Sequence, residues 1–287
     1  MSTEASGPAE RRGADRAPRS IPVRRPTFDF AQLGSAHWFG GDPFLTHLLN
    51  ALSLTFPEGE RFFMDSVKHY QGRVASDALR HEIVRFLGQE SLHARAHEDY
   101  NAWLSVTGVD PSYPQQRVKE GLERIRRMRS PRYRLAMTCA LEHFTAMMAE
   151  MCLEDESFRE LMDPEMRRLL VWHAIEETEH KAVAFDTYVT TGGSYRMRVA
   201  AMLITTFAFV FVTARFQEHL MRQDPDAAGA GVRLRGLTRL WIYPGWFRRL
   251  VPLYVDYFRR DFHPWDRPAP QQMEVLKADL ADAVVRP

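Results

Sequence analysis

Cysteine is scarce: Cys139 and Cys152 are the only two in 287 residues. Both fall on one predicted helix, thirteen positions apart. At about 100° per residue they face different ways and cannot bridge. That excludes a disulfide framework and fits a reducing, cytoplasmic compartment. An excess of one charge is missing too. The formal net charge is +1, so bulk electrostatics points to neither nucleic acid nor an acidic partner. The first 26 residues carry six arginines and several prolines but no apolar segment of the secretory kind. They read as a disordered tail, residues 1–26. The run Val199–Ala214 holds no charge for sixteen residues between Arg198 and Arg215. At ~1.5 Å per residue it spans ~24 Å, short of the ~30 Å of a hydrocarbon core. There is no solenoid repeat. No Ser-His-Asp set or cysteine nucleophile is visible, so any hydrolysis has to be borne by a metal.

What is present is helical. Hydrophobic residues make up 45% of the chain, enough for a sizeable core. Asp42-Pro43 reads as a cap and first turn, opening a helix over 43–73 that Pro57 should kink. Ser76-Asp77 opens a second, over 77–106, which Gly108 stops. A short amphipathic helix over about 115–129 follows. Ser130-Pro131 opens a helix over 131–155, and Asp163-Pro164 one over 164–190, ending before Gly192-Gly193. The first and third links are short and the second exceeds twenty residues. One long crossover between two antiparallel hairpins is the ferritin-like four-helix arrangement. The fold class is therefore all-α: a bundle over 27–192, with further helices over 193–287 packed on it. Of these, Val199–Ala214 is expected to be a buried helix, and Gln271–Val285 a short amphipathic one.

The chemistry lies in four glutamates, Glu60, Glu90, Glu142 and Glu177, and in His93 and His180, each three residues after a glutamate. A Glu from two helices and Glu-x-x-His from two others is the set by which a bundle holds two metal ions. Two such spacings are no surprise by chance in a chain this rich in Glu and His. Height is what counts. The four glutamates fall near the midpoints of the four helices, so they share one layer. Each Glu-x-x-His pair lies on one face. Glu142 is the sole carboxylate of an apolar stretch around Met137, Leu141, Phe144 and Met148, and needs a partner there. Glu60 competes with Glu58, and its height favours it. His97 and His173 lie on the same faces and act as further ligands or as groups behind the ligands. Glu176 and Glu179 point elsewhere, to a solvated face. His47, His69, His81 and His219 read as structural, and Tyr70, Tyr100 and Tyr188 as packing residues.

Four carboxylates balance two divalent cations. Imidazole with carboxylate suits iron, manganese or zinc.

The segments Phe56-Pro57-Glu58-Gly59-Glu60-Arg61-Phe62-Phe63, Gln89-Glu90-Ser91-Leu92-His93 and His173-Ala174-Ile175-Glu176-Glu177-Thr178-Glu179-His180-Lys181 carry a resemblance. They are similar to the bacterial predicted metal-dependent hydrolase family, over roughly Pro26 to Arg260. The resemblance implies a ferritin-like fold and metal binding more firmly than it implies a reaction.

Carboxylate-rich ligation favours an iron site that uses O2 to oxidise an apolar small molecule. Hydrolysis by a metal-activated water is the alternative, and a non-enzymatic metal-binding role a third. Aromatics beside arginines, Trp241-Ile242-Tyr243-Pro244-Gly245-Trp246-Phe247-Arg248-Arg249, suit a membrane interface as well as a packed helix. Peripheral membrane attachment and pairing of two copies are both compatible with the chain.

Overall fold

The computed structural model describes residues 20–284. It is 75% helical, and no strand occurs among the described residues. The capping residues set the helix starts. Asp42 accepts from the Leu45 amide at the head of α1, Pro43–Ser53. Here the chain departs from the single kinked helix expected over 43–73. It breaks at Leu54-Thr55 and restarts as α2, Phe56–Gln71, with Pro57 in its first turn. A proline without an N–H fits a helix start better than a helix middle.

Ser76 caps α3, Asp77–Leu104. The chain then turns at Gly108, whose φ of 92° is left-handed and open to glycine. The crossover carries α4, Ser112–Met128. Ser130 caps α5, Pro131–Glu154, and a short α6, Glu156–Glu160, leads on. Asp163 caps α7, Pro164–His180. The helix expected over 164–190 is in fact interrupted after His180 and resumes as α8, Val183–Thr190. At the break Lys181 donates to the Arg267 carbonyl and its Nζ lies 4.2 Å over the Trp265 ring.

The bundle pairs α2 with α3 and α5 with α7 and α8, and α3 also meets α7 while α2 meets α5. Two apolar clusters occupy its two ends. One gathers Trp38, Tyr100, Leu153, Leu169 and Trp172; the other Phe62, Ile83, Phe86, Leu135 and Val183. The buried Glu60, Glu90, Glu142 and Glu177 belong to neither cluster. Cys139 and Cys152 are free and buried in separate surroundings.

Outside the bundle run α9, Tyr195–Met221; α10, Ala230–Trp241; α11, Trp246–Asp256; and α12, Met273–Val284. The first of these corrects an expectation. It is not a buried helix: of its most apolar stretch only 28% is buried. One side packs on α1 and α5 and the other is bare. By length and composition α9 could cross a membrane.

Of the tail expected over residues 1–26, residues 1–19 lie outside the described residues. Residues 20–26 form a packed strap: Ile21 is buried and Arg24 bonds to α7.

Candidate metal centre

Glu60 on α2, Glu90 and His93 on α3, Glu142 on α5, and His173, Glu177 and His180 on α7 meet in one buried layer. They form two triads, Glu60–His93–His173 and Glu90–Glu177–His180, each with its donor atoms within 4.8 Å of one another. Glu142 joins the second, its Oε2 3.7 Å from His180 Nε2. Glu177 stands between them. Its Oε1 is 3.0 Å from His173 Nε2 and 3.5 Å from His93 Nδ1, while its Oε2 is 3.5 Å from His180 Nε2. One carboxylate thus offers an oxygen to each triad.

The bonds behind the imidazoles set which nitrogen faces inward. Gln89 Nε2 donates to Glu179 Oε2 and to the Pro22 carbonyl, which leaves Gln89 Oε1 to accept from His180 Nδ1 at 2.9 Å. The lone pair on His180 Nε2 is then inward. Glu176 Oε2 accepts from His93 Nε2 at 3.0 Å, so His93 presents Nδ1. The third chain is longer. Asn101 Nδ2 donates to the Ser53 carbonyl, which turns Asn101 Oδ1 to accept from Ser53 Oγ. Ser53 Oγ then accepts from His97 Nδ1, and His97 Nε2 accepts from His173 Nδ1 at 2.8 Å. That leaves His173 Nε2 for the centre. Of the two histidines left open by the sequence, His173 faces the layer and His97 stands behind it. Partners of this kind fix ring orientation and raise ligand basicity.

Glu176 and Glu179 correct the sequence reading. They are buried, not solvated. Glu176 Oε1 accepts from the Arg24 backbone and guanidinium, and Glu179 takes Arg24 in a two-pronged pair at 2.8 and 2.7 Å. Helix-face geometry misplaced them because α7 is buried on every side, Val171 to His180. Gln89, Arg24, Ser53 and Asn101 were missed altogether. Only the adjacency of Gln89 to Glu90 hinted at any of them. His47 packs into a separate cluster, its Nε2 2.7 Å from Asp224 Oδ2, as does His37 Nε2. Glu58 sits away from the layer, paired with Arg61, and Tyr100 binds Trp38 and Asn50.

Does this layer fit metal ions? Both oxygens of Glu60, Glu90 and Glu142, with Glu177 Oε2, His93 Nδ1 and His180 Nε2, are buried without a hydrogen-bond partner. Buried polar atoms are rarely left so, and these nine converge on one layer, as donors to metal ions would. Electrostatics agrees. Burial, then the neighbouring Glu90, pushes Glu60 and Glu142 well above the usual carboxylate range. Burial alone would lower His93, but its hydrogen bond to Glu176 and the negative charge of nearby Glu177 and Glu90 outweigh it and hold the ring at about 10. The inward nitrogens thus sit where positive charge is most favoured. Burial, then His93, lowers His173 to about 4, and burial, then His173, lowers His97 well below its ordinary value.

A helical bundle with two such triads around a shared carboxylate has the form of a ferritin-like, dinuclear-metal bundle. The family described as predicted metal-dependent hydrolase matches residues 22–267. The chain belongs to that family. No curated protein and no solved structure matches it.

The layer is reached from outside. A cavity of about 490 Å³ runs from Glu60 and Glu177, past Phe56, Phe63 and Met148, to Ile204 and Phe211 on α9. Its lining is overwhelmingly apolar.

Proposed function

We propose that the protein is a dinuclear-metal enzyme that uses O2 to oxidise an apolar small molecule lodged in the cavity at Glu60 and Glu177. The observation that carries this is the unpaired ligand set opening on an apolar cavity. Glu60, His93 and His173 would hold one divalent cation, and Glu90, Glu142 and His180 the other. Glu177 would bridge them. Four carboxylates neutralise two divalent charges and stabilise a metal that is oxidised, which favours iron over manganese or zinc. The bound pair would supply O2 activation. The chain's own residues do the rest. His97, Gln89 and Glu176 keep three imidazoles turned inward. The apolar walls exclude water and orient a substrate that has no polar handle. A cavity of this size accommodates a single small ligand.

A second reading, hydrolysis by a metal-activated water, draws on the family description. The test separates the two. Protein loaded with Fe(II) without oxygen should bind two ions per chain, consume O2 on exposure and change its near-ultraviolet absorption. Glu142→Ala and Glu177→Ala should each lose that stoichiometry. If both variants still bind two ions, the ligand set is wrong. If protein from its own host carries zinc or manganese, ignores O2 and cleaves an ester, hydrolysis replaces oxidation.

A further inference from the structure

The bare side of α9 is apolar from Ala200 to Ala214. Leu203, Phe207 and Val210 follow one line at helical spacing, with Ile204 and Phe211 beside it, and Phe207 is 77% exposed. On α10, Leu234, Leu237 and Trp241 repeat the pattern. Tyr243, 80% exposed, follows in the turn, and Val251 and Val255 continue on α11. These are parts of one surface. Val210, Leu237, Trp241 and Val251 line a common apolar cavity of about 370 Å³ between the three helices. Contiguous exposed apolar surface on this scale marks an interaction site.

Charge indicates what covers it. Residues 230–260 hold seven arginines and one acid, Asp256, in a chain whose net charge is only +1. Exposed Arg235 and Arg248 have no carboxylate within 4 Å among the described residues. Arginine suits phosphate headgroups, and Trp and Tyr rings suit the boundary between headgroups and acyl chains. A second copy of the chain fits less well. A two-fold contact through this surface would bring Arg235 and Arg248, which have no carboxylate partner among the described residues, toward their own copies. Nor does α9 suit a spanning role, since its inner side carries buried Arg198 and Gln217 and rests on α1 and α5. It suits a helix lying in the plane of the interface.

We propose that α9, α10 and α11 form one docking surface for an anionic phospholipid bilayer, and that the cavity beneath α9 takes its apolar substrate directly from that bilayer. The docking stands on the surface alone. The delivery rests on the function proposed above, because the same cavity joins Ile204 and Phe211 to Glu60 and Glu177.

The test is co-sedimentation of the full chain with vesicles of phosphatidylcholine, with and without phosphatidylglycerol. Binding should require phosphatidylglycerol and weaken with salt. The pair Phe207→Glu and Phe211→Glu should weaken it by at least about tenfold, since two large apolar side chains would be replaced by charged ones at the bilayer surface. Should that variant misfold, lipids brominated on their chains provide a second measure. They should quench the native protein's tryptophan fluorescence, and less so in Trp241→Phe. Glu177→Ala should still bind vesicles, so a failure of the metal reading leaves the docking visible. Two results would overturn the proposal. One is native protein that binds neither vesicle and is not quenched. The other is a dimer in light scattering that Phe207→Glu converts to monomer.

Discussion

Arg24 governs the orientation of two of the three inward imidazoles. Its backbone and guanidinium hold Glu176, which accepts from His93, and its guanidinium holds Glu179, which accepts from Gln89, the partner of His180. The arginine touches neither triad itself. Arg24→Ala should therefore leave the fold intact but lower metal affinity by about 10- to 100-fold, measured by chelator competition. Arg24→Lys should recover little, because an ammonium cannot match the two-pronged pair with Glu179. An unchanged affinity in both variants would show that Glu176 and Gln89 hold their places unaided. At this scale the sequence is a partial guide. Glu60, Glu90, Glu142 and Glu177 stood out because they fall at one height on four helices, and Glu142 also because a carboxylate amid apolar neighbours needs a counter-charge. Glu176 did not, because a face argument presumes a wet side, and α7 has none. Arg24 left no local signal. It acts across 152 residues, a distance over which no helical period speaks.

Among the helices, the starts were legible and the breaks only in part, as a kink at Pro57. Asp42, Ser76, Ser130 and Asp163 cap the first residues expected of them, because an N-cap is a local bond between a side chain and an amide three residues or fewer ahead. The interruption at Lys181-Ala182 meets distant partners, Trp265 and Arg267, whereas the one at Leu54-Thr55 is local, with Pro57 in the first turn of the new helix. The seating of α10 on α1 also joins distant partners. A Cβ on Gly236 would lie 2.0 Å from the Phe44 ring, and Arg239 reaches the carboxylate of Asp42 nearby. Gly236→Ala should cost about 1–3 kcal/mol through overpacking, and calorimetry should show a Tm lower by several degrees. An unaltered Tm would mean that Phe44 can swing aside without loss.

Across the whole molecule, one long-range tie joins two histidines to an aspartate. His37, before α1, and His47, on α1, both meet Asp224, beyond α9. Burial, against the pull of Asp224, lowers His47 below its ordinary 6.5. The unfolded chain then takes up a proton that the folded one refuses. Stability from this source is full above pH 6.5 and falls as pH drops toward the folded value. Asp224 is lowered as well. Burial opposes the shift, but bonds from His37 and His47 prevail, and this contribution is lost only at more acid pH, below the usual carboxylate range. The stability gap between the native protein and His47→Gln should shrink between pH 7 and 5, read by urea denaturation; a constant gap would refute it. None of these ties is visible in one sequence, and neither was the bare side of α9. Composition showed that the run was apolar, but only packing shows which half of it is covered. The strap and α12 close the molecule over the same point. Glu179 is gripped by Arg24, made long before it, and by Lys277, 3.1 Å away and made long after it. During synthesis, therefore, α7 emerges with its acidic side only half secured, and the grip is complete only once α12 has left the ribosome and docked.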